Sequence, residues 1–219
     1  MISNSKRLIV ALTVLGAAGP VLADNNFGLG AKVGTLGAGI EGSWRPIPFV
    51  DLRVGGNFFD FDNSGTYAGV GYDGTLNLES YYGTVNLKFP LSPLRVTAGA
   101  YANGNELYLA SDGSPTLVIG GSEYSAADVG TLSSTTSFEG TAPYFGLGLD
   151  FTILRKVGLN FDLGVLWQGE PQVAMAADGP IANEAVFMQS LENERRELQE
   201  EMKDFKAWPV VSLGFVFNF

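Results

Sequence analysis

The sequence predicts an all-β chain: a single transmembrane antiparallel up-and-down β-barrel of about eight strands, with one helix in the loop before the last strand. Three observations predict it. Successive segments alternate apolar and polar side chains at strand period, and tight connections alternate with long ones. Of 219 residues, 29 are Gly and 12% are aromatic, while only 16% are charged, a mixture suited to strands lying against an apolar medium.

The chain begins with a secretory pattern. Lys6 and Arg7 precede an apolar run from Leu8 to Leu15, Gly16, Gly19 and Pro20 break it, and Val21-Leu22-Ala23 offers small to medium residues for cleavage. The expected division is a cleaved signal at residues 1–23 and one barrel domain at 24–219. The apolar run falls short of the ~20 residues a spanning helix needs, and no later window supplies them.

From Phe27 onward the alternation is continuous. Phe27, Leu29, Ala31 and Val33 share one face, with Gly28, Gly30, Lys32 and Gly34 on the other. After a turn at Leu36-Gly37, Ile40 and Trp44 oppose Glu41, Ser43 and Arg45; next, Val50, Leu52, Val54 and Phe58 oppose Asp51, Arg53, Gly55 and Asn57. Tyr81, Val85, Leu87 and Phe89 oppose Tyr82, Thr84, Asn86 and Lys88, and Leu94, Val96, Ala98 and Ala100 oppose Arg95, Thr97, Gly99 and Tyr101. The last three segments run from Tyr144 to Ile153, from Val157 to Gln168 and from Val211 to Phe219. Each approaches the ~9–11 residues of a tilted membrane strand.

Connections separate a barrel from a soluble sandwich. Pro46-Ile47-Pro48, Pro90-Leu91-Ser92-Pro93 and Leu154-Arg155-Lys156 are tight, whereas Asp60 to Asp73, Asn103 to Thr141 and Gln168 to Trp208 read as long loops. Membrane barrels carry short turns on one side and long loops on the other. Were the apolar faces turned inward, the outer surface would hold too many glycines and too few charges for a soluble protein. Lipid also leaves no partner for a free strand edge, so the sheet must close. In the second long loop, Thr116-Leu117-Val118-Ile119 before Gly120-Gly121 predicts an extra hairpin, above the membrane or in the wall, and a ten-stranded barrel is the alternative count.

On the face opposite the apolar one stand Lys32, Glu41, Arg45, Asp51, Arg53, Lys88, Arg95, Asp150, Lys156 and Asp162. Mixed charges in so narrow a lumen are expected to pair across it as a plug; the same residues could instead line a selective polar path. Between Asn183 and Lys206, Phe187, Leu191, Leu198, Met202 and Phe205 fall near one helical face, and Glu192 with Arg196 stands at the pairing distance i,i+4. This helix is expected to fold over the barrel mouth or its wall, with partner binding or oligomerisation as the other role.

The last strand, Val210 to Phe219, carries Phe215, Phe217 and Phe219 at alternate positions and looks like the terminal strand by which the barrel-assembly machinery recognises bacterial outer-membrane proteins. Together with the secretory pattern and the alternation, it makes nearly the whole mature chain resemble small outer-membrane barrels of the OmpA and OmpW type. The resemblance implies residence in the cell outer membrane, contact with its lipid and handling by the assembly machinery. Members of that group serve as membrane anchors, as passages for small apolar molecules or as adhesins, so it implies location more firmly than activity.

Several function classes recede on composition. A formal charge of −10 leaves no basic face for nucleic acid. There is no Cys and no His, which removes thiolate metal sites and the usual general base. The enzymatic barrels that this chain resembles in architecture depend on a His, and no Gly-x-Ser-x-Gly elbow occurs, so no enzyme and no cofactor is expected. Gly37-Ala38-Gly39-Ile40-Glu41-Gly42 spells a dinucleotide fingerprint, but it sits in a hairpin that keeps alternating. Asp60, Asp62 and Ser64, before Gly65, resemble the first half of a calcium loop that lacks its closing Glu, and form a weak divalent-cation candidate. The expected function is therefore a structural barrel that passes or binds small apolar solutes, or else a surface protein that meets a partner through its long loops and helix.

Overall fold

The computed structural model describes residues 26–67, 70–112, 115–138, 140–154 and 156–219. The expected signal at 1–23 lies outside them.

Alternation becomes strand pairing in chain order. β1 (Phe27–Gly34), β2 (Gly37–Ile47), β3 (Val50–Tyr67), β4 (Val70–Lys88) and β5 (Leu94–Asn103) form an antiparallel meander. The chain then leaves the wall through β6 (Glu106–Asp112), β7 (Thr116–Ile119), β8 (Ser122–Ser125), the short α1 (Ala126–Val129) and β9 (Leu132–Ser137). It returns as β10 (Thr141–Leu154) and β11 (Val157–Trp167), leaves again through β12 (Gln172–Ala177) and α2 (Ala185–Met202), and finishes with β13 (Ala207–Asn218). Pairings β1–β13, β13–β11, β11–β10, β10–β5 and β5–β4 close the ring with β2 and β3, so eight strands make the barrel. Closure satisfies the backbone of every wall strand, as an apolar solvent demands.

Outside this ring the sheet grows in one direction. The upper halves of β3 and β4 continue past the wall, and β6, β9 and β12 add to them in the order β3-β4-β6-β9-β12. The stretch from Asp60 to Asp73, read from sequence as a loop, is thus mostly strand: the β3–β4 register runs unshifted from Val50↔Leu87 to Tyr67↔Val70. Asp62-Asn63-Ser64-Gly65 has turn-like composition, but cross-strand hydrogen bonds override it. The free edge at β12 is covered by the helix, since Gln199 accepts from Val173 N at 3.0 Å and donates to Pro171 O.

The extra hairpin expected at Thr116–Gly121 forms as β7–β8, apart from the wall. Its two-residue turn is Gly120-Gly121 with φ +57° and +78°, a conformation that few residues but Gly adopt. Ile119, Leu117, Val129 and Leu132 pack there with Phe187 of α2 in a small core of their own.

Outward faces of the wall carry half-exposed apolar residues such as Leu29, Val54, Leu147, Leu163 and Leu213. Aromatic side chains ring this band at both ends. Phe27 stacks on Trp44 at the end bearing the tight turns, while Phe58 meets Tyr81 and Phe145 meets Trp167 at the other. An apolar band between aromatic girdles is the external pattern of a membrane barrel.

Candidate functional site

Lumen residues follow from parity: in each wall strand every second side chain points in, and toward the tight-turn end most of those are polar or small. Toward the tight-turn end they form one connected ionic network of four cations and four carboxylates. Arg53 reaches Glu41 (3.3 Å), Asp51 (3.4 Å) and Asp150 (3.4 Å). Arg95, 1% exposed, donates from Nε to Asp150 (2.8 Å), from Nη1 to Asn86 (2.8 Å) and Thr97 (2.7 Å), and from Nη2 to Asp162 (2.5 Å). All five guanidinium donors of an arginine are hard to satisfy in a buried place; acceptors from β4, β5, β10 and β11 do most of that here. Lys88 bridges Asp51 (3.1 Å) and Asp150 (3.0 Å), and Lys32 lies 3.9 Å from Glu41. Gly148 makes room for Arg95, because a Cβ there would stand 2.7 Å from its Nε.

Of the ten lumen positions read from sequence, eight thus meet in one network. Arg45 lies below it, half-buried, beside a gap of about 50 Å³ that Asp51, Lys88 and Asp150 also line. Lys156 stands apart in the turn between β10 and β11, its Nζ 6.0 Å from the Phe217 ring on the outer wall. An irregularity between Thr152 and Leu154 interrupts the strict alternation there.

Above the ions comes a second layer that the charged residues alone do not reveal. Tyr82 stacks on Tyr101 and Tyr101 meets Tyr144 at a tilt, with ring centroids 4.8 and 5.3 Å apart, and the three pack with Leu36, Leu166, Val210 and Trp208. Tyr82 donates to Glu41 at 2.8 Å and accepts the Lys32 ammonium over its ring at 3.9 Å, which ties the two layers together. Gly146 and Gly164 flank the Tyr144 ring, where any side-chain carbon would strike it. The gap between the layers is about 20 Å³, room for about one water molecule. The signal for this layer is three tyrosines on the polar parity of neighbouring strands, a bulky set for a barrel of eight.

Beyond the tyrosines the polarity of the strands reverses. Phe61 shares its face of β3 with Asp51 and Arg53, because the register is unbroken, yet it faces a large apolar chamber of about 640 Å³. The extension sheet forms one wall with Phe61, Leu76, Leu107, Leu109, Leu132 and Met175. Val118 of the β7–β8 hairpin and Glu194, Leu198 and Glu201 of α2 form the other. The hairpin is fastened to the helix by Gly120 N donating to Glu194 (2.8 Å) and by the Tyr124 and Ser190 hydroxyls (2.8 Å). Alternate Leu107 and Leu109, Val173 and Met175, and the phase change at Phe58-Phe59 are the sequence signals of this chamber.

Helix α2 presents Phe187, Leu191 and Leu198 inward, while Phe205 lies beyond the helix and is exposed. Glu192 pairs with Arg196 at 2.8 Å and with Arg195 at 2.8 Å.

Asp60, Asp62 and Ser64 lie on the outer face of β3. Asp62 accepts from Thr75 (2.8 Å) and Ser64 donates to Asp73 (2.6 Å). Extended backbone spreads alternate residues about 7 Å apart, so these three do not wrap an ion as a calcium loop does. Phe215, Phe217 and Phe219 project outward from the wall, about half exposed.

No protein-family model matches the sequence, and no curated protein matches it. Solved structures do resemble the fold. The crystal structure of Acinetobacter baumannii CarO2 aligns with a TM-score of 0.61 at 23% identity, over 88% of this chain and 98% of that one. Acinetobacter baumannii CarO gives 0.57 at 22% identity, over 89% and 97%. A major outer membrane protein from Thermus thermophilus gives 0.39 at 15% identity, over 88% and 98%. At these identities the two CarO structures establish a shared fold.

Proposed function

We propose that this chain resides in a bacterial outer membrane as a closed barrel, not an enzyme, and binds a small apolar solute in the chamber above its plugged lumen. One observation carries the reading: a chamber of about 640 Å³ with mostly apolar walls stands over lumen gaps of about 20 and 50 Å³. Small-molecule sites are concave, largely apolar and ~300–1,000 Å³ in volume. Residence in the membrane is supported by the apolar band and its aromatic girdles, and by the fold shared with CarO. The secretory pattern at residues 1–23 supports export, and the outward row Phe215, Phe217 and Phe219 supports handling by the barrel-assembly machinery.

The test uses the full chain reconstituted in lipid. Planar bilayers should show no steady conductance, and N-phenyl-1-naphthylamine, a neutral fluorescent probe, should bind saturably above the background of empty nanodiscs. Leu109→Arg, which projects a charge into the chamber, should abolish that binding while the barrel stays folded. Steady conductance by the unaltered protein, or probe binding indifferent to Leu109→Arg, would overturn the reading.

A second reading, surface interaction through the loops and helix, is favoured by Val186 and Met188, both exposed on α2. It predicts binding to whole cells or surfaces that is lost in Val186→Ser/Met188→Ser and untouched by Leu109→Arg.

A further inference from the structure

We infer that the occupant of the chamber is an apolar molecule bearing a positive charge, held with that charge against Glu194 and Glu201; the inference rests on the chamber being a solute site. Both charged residues on its walls are carboxylates, and no Lys or Arg lines it among the described residues. Cations close by in sequence are committed elsewhere: Arg195 and Arg196 to Glu192, Lys203 to Glu200, and Lys206 to Glu170. Glu194 and Glu201 enter no ion pair among the described residues. The two stand seven residues apart on α2, so they share a face of the helix about 10 Å apart along its axis, with Leu198 between them. One oxygen of Glu194 accepts from Gly120 N, which fixes the carboxylate at the chamber wall; its other oxygen has no hydrogen-bond partner among the described residues.

This arrangement sorts ligands by charge. The apolar walls reward any hydrophobic body that fits. An anionic amphiphile, however, brings its charge toward two carboxylates with no cation to receive it, and a neutral one gains nothing from them. A hydrophobic cation satisfies walls and carboxylates together. Because the chamber is partly open to water, each ion pair contributes little, and the two together should favour a cation by about tenfold over an isosteric anion.

Tetraphenylphosphonium and tetraphenylborate have nearly the same shape and opposite charge, and serve as the probes. Binding is measured by equilibrium dialysis to the full chain in phosphatidylcholine nanodiscs, with empty discs subtracted. The expected result is a preference of about tenfold for the phosphonium. It should vanish in Glu194→Gln/Glu201→Gln, in which Gln still offers Gly120 an acceptor, and persist in Asp60→Asn/Asp62→Asn, which removes the same charge from the outer face. Equal binding of the two ions, or a preference that both double variants erase alike, overturns the charge assignment. In that case N-phenyl-1-naphthylamine still binds, and the chamber remains a site for neutral solutes. If neither ion nor the neutral probe binds, the chamber reading falls and this inference with it.

Discussion

The two halves of the β3–β4 hairpin are one continuous ladder built with opposite polarity. From Val50 to Phe58 and from Tyr81 to Leu87, apolar side chains point out and polar ones fill the lumen; from Phe59 to Gly65 and from Asp73 to Leu78, Phe61 and Leu76 point in while Asp60, Asp62 and Thr75 point out. No bulge separates them, so the reversal lies in the amino-acid choice alone. The proposed membrane setting explains it by the medium outside each half. Lipid around the lower half makes an apolar exterior favourable and forces charges inward, where they must pair. Water around the upper half restores the ordinary arrangement, and its apolar inner face then needs a cover, supplied by α2 and the β7–β8 hairpin. What fills the lower compartment is charge; what lines the upper one is hydrocarbon.

Substitutions that attack each compartment by its own logic should separate them. The largest effect is expected from Arg95→Ala, which leaves Asp162 without an ion pair among the described residues and takes one of three cations from Asp150: loss of a buried charge partner costs about 3–5 kcal/mol. Urea unfolding in lipid should show it, and intermittent conductance should accompany it. Leu213→Arg, on the outer face near the middle of β13, should cost about 2–4 kcal/mol by placing a charge in hydrocarbon. Thr75→Arg, on the outer face of the extension, should shift stability by no more than about 0.5 kcal/mol. Equal effects of these two would erase the distinction between the halves.

Gly120→Ala tests the cover by itself. A Cβ at that positive-φ position would run into the Ser190 carbonyl of α2, so the hairpin should loosen from the helix by about 1–2 kcal/mol. Limited proteolysis should quicken within β7–β8 while the heat-dependent gel shift of the barrel stays unchanged. The smallest effect belongs to pH. Hydrogen bonds from Arg195 and Arg196 hold the Glu192 carboxyl down at about 2, against an ordinary value of 4.5. A lowered carboxylate pKa supports the folded helix fully above the ordinary value, and that support is lost as pH falls through the folded one. Helical circular dichroism should therefore hold from neutrality to about pH 4.5 and decline progressively as pH falls from there to about 2.

The barrel is legible in the sequence because lipid enforces strict alternation, and eight segments from Phe27 to Phe219 display it without help from context. Lumen charges are legible for the same reason: parity alone puts Arg53, Arg95 and Asp150 on one side. Their partners are not, because which carboxylate meets which guanidinium depends on the tilt and stagger of the closed sheet. The chamber is hidden because Phe58-Phe59 and Asp62-Asn63-Ser64-Gly65 look like the end of a strand and a turn. Alternation resumes at Phe61 in the opposite phase, a change that acquires meaning only once the strand is known to cross from lipid into water. Lys156 shows the converse limit, since one irregularity at Thr152–Leu154 takes it out of the lumen.

Because the chain contains no Cys, single cysteines can be placed along β3 and labelled with bimane, and the reconstituted protein quenched by brominated lipid or by aqueous iodide. Labels at Leu52, Val54 and Phe58 should be quenched by the lipid, and labels at Asp60, Asp62 and Ser64, on the same outward face, by iodide. Lipid quenching that continues through Asp62 and Ser64 would place the extension inside the membrane, and would contradict both the reversal of polarity and the water-side chamber built on it.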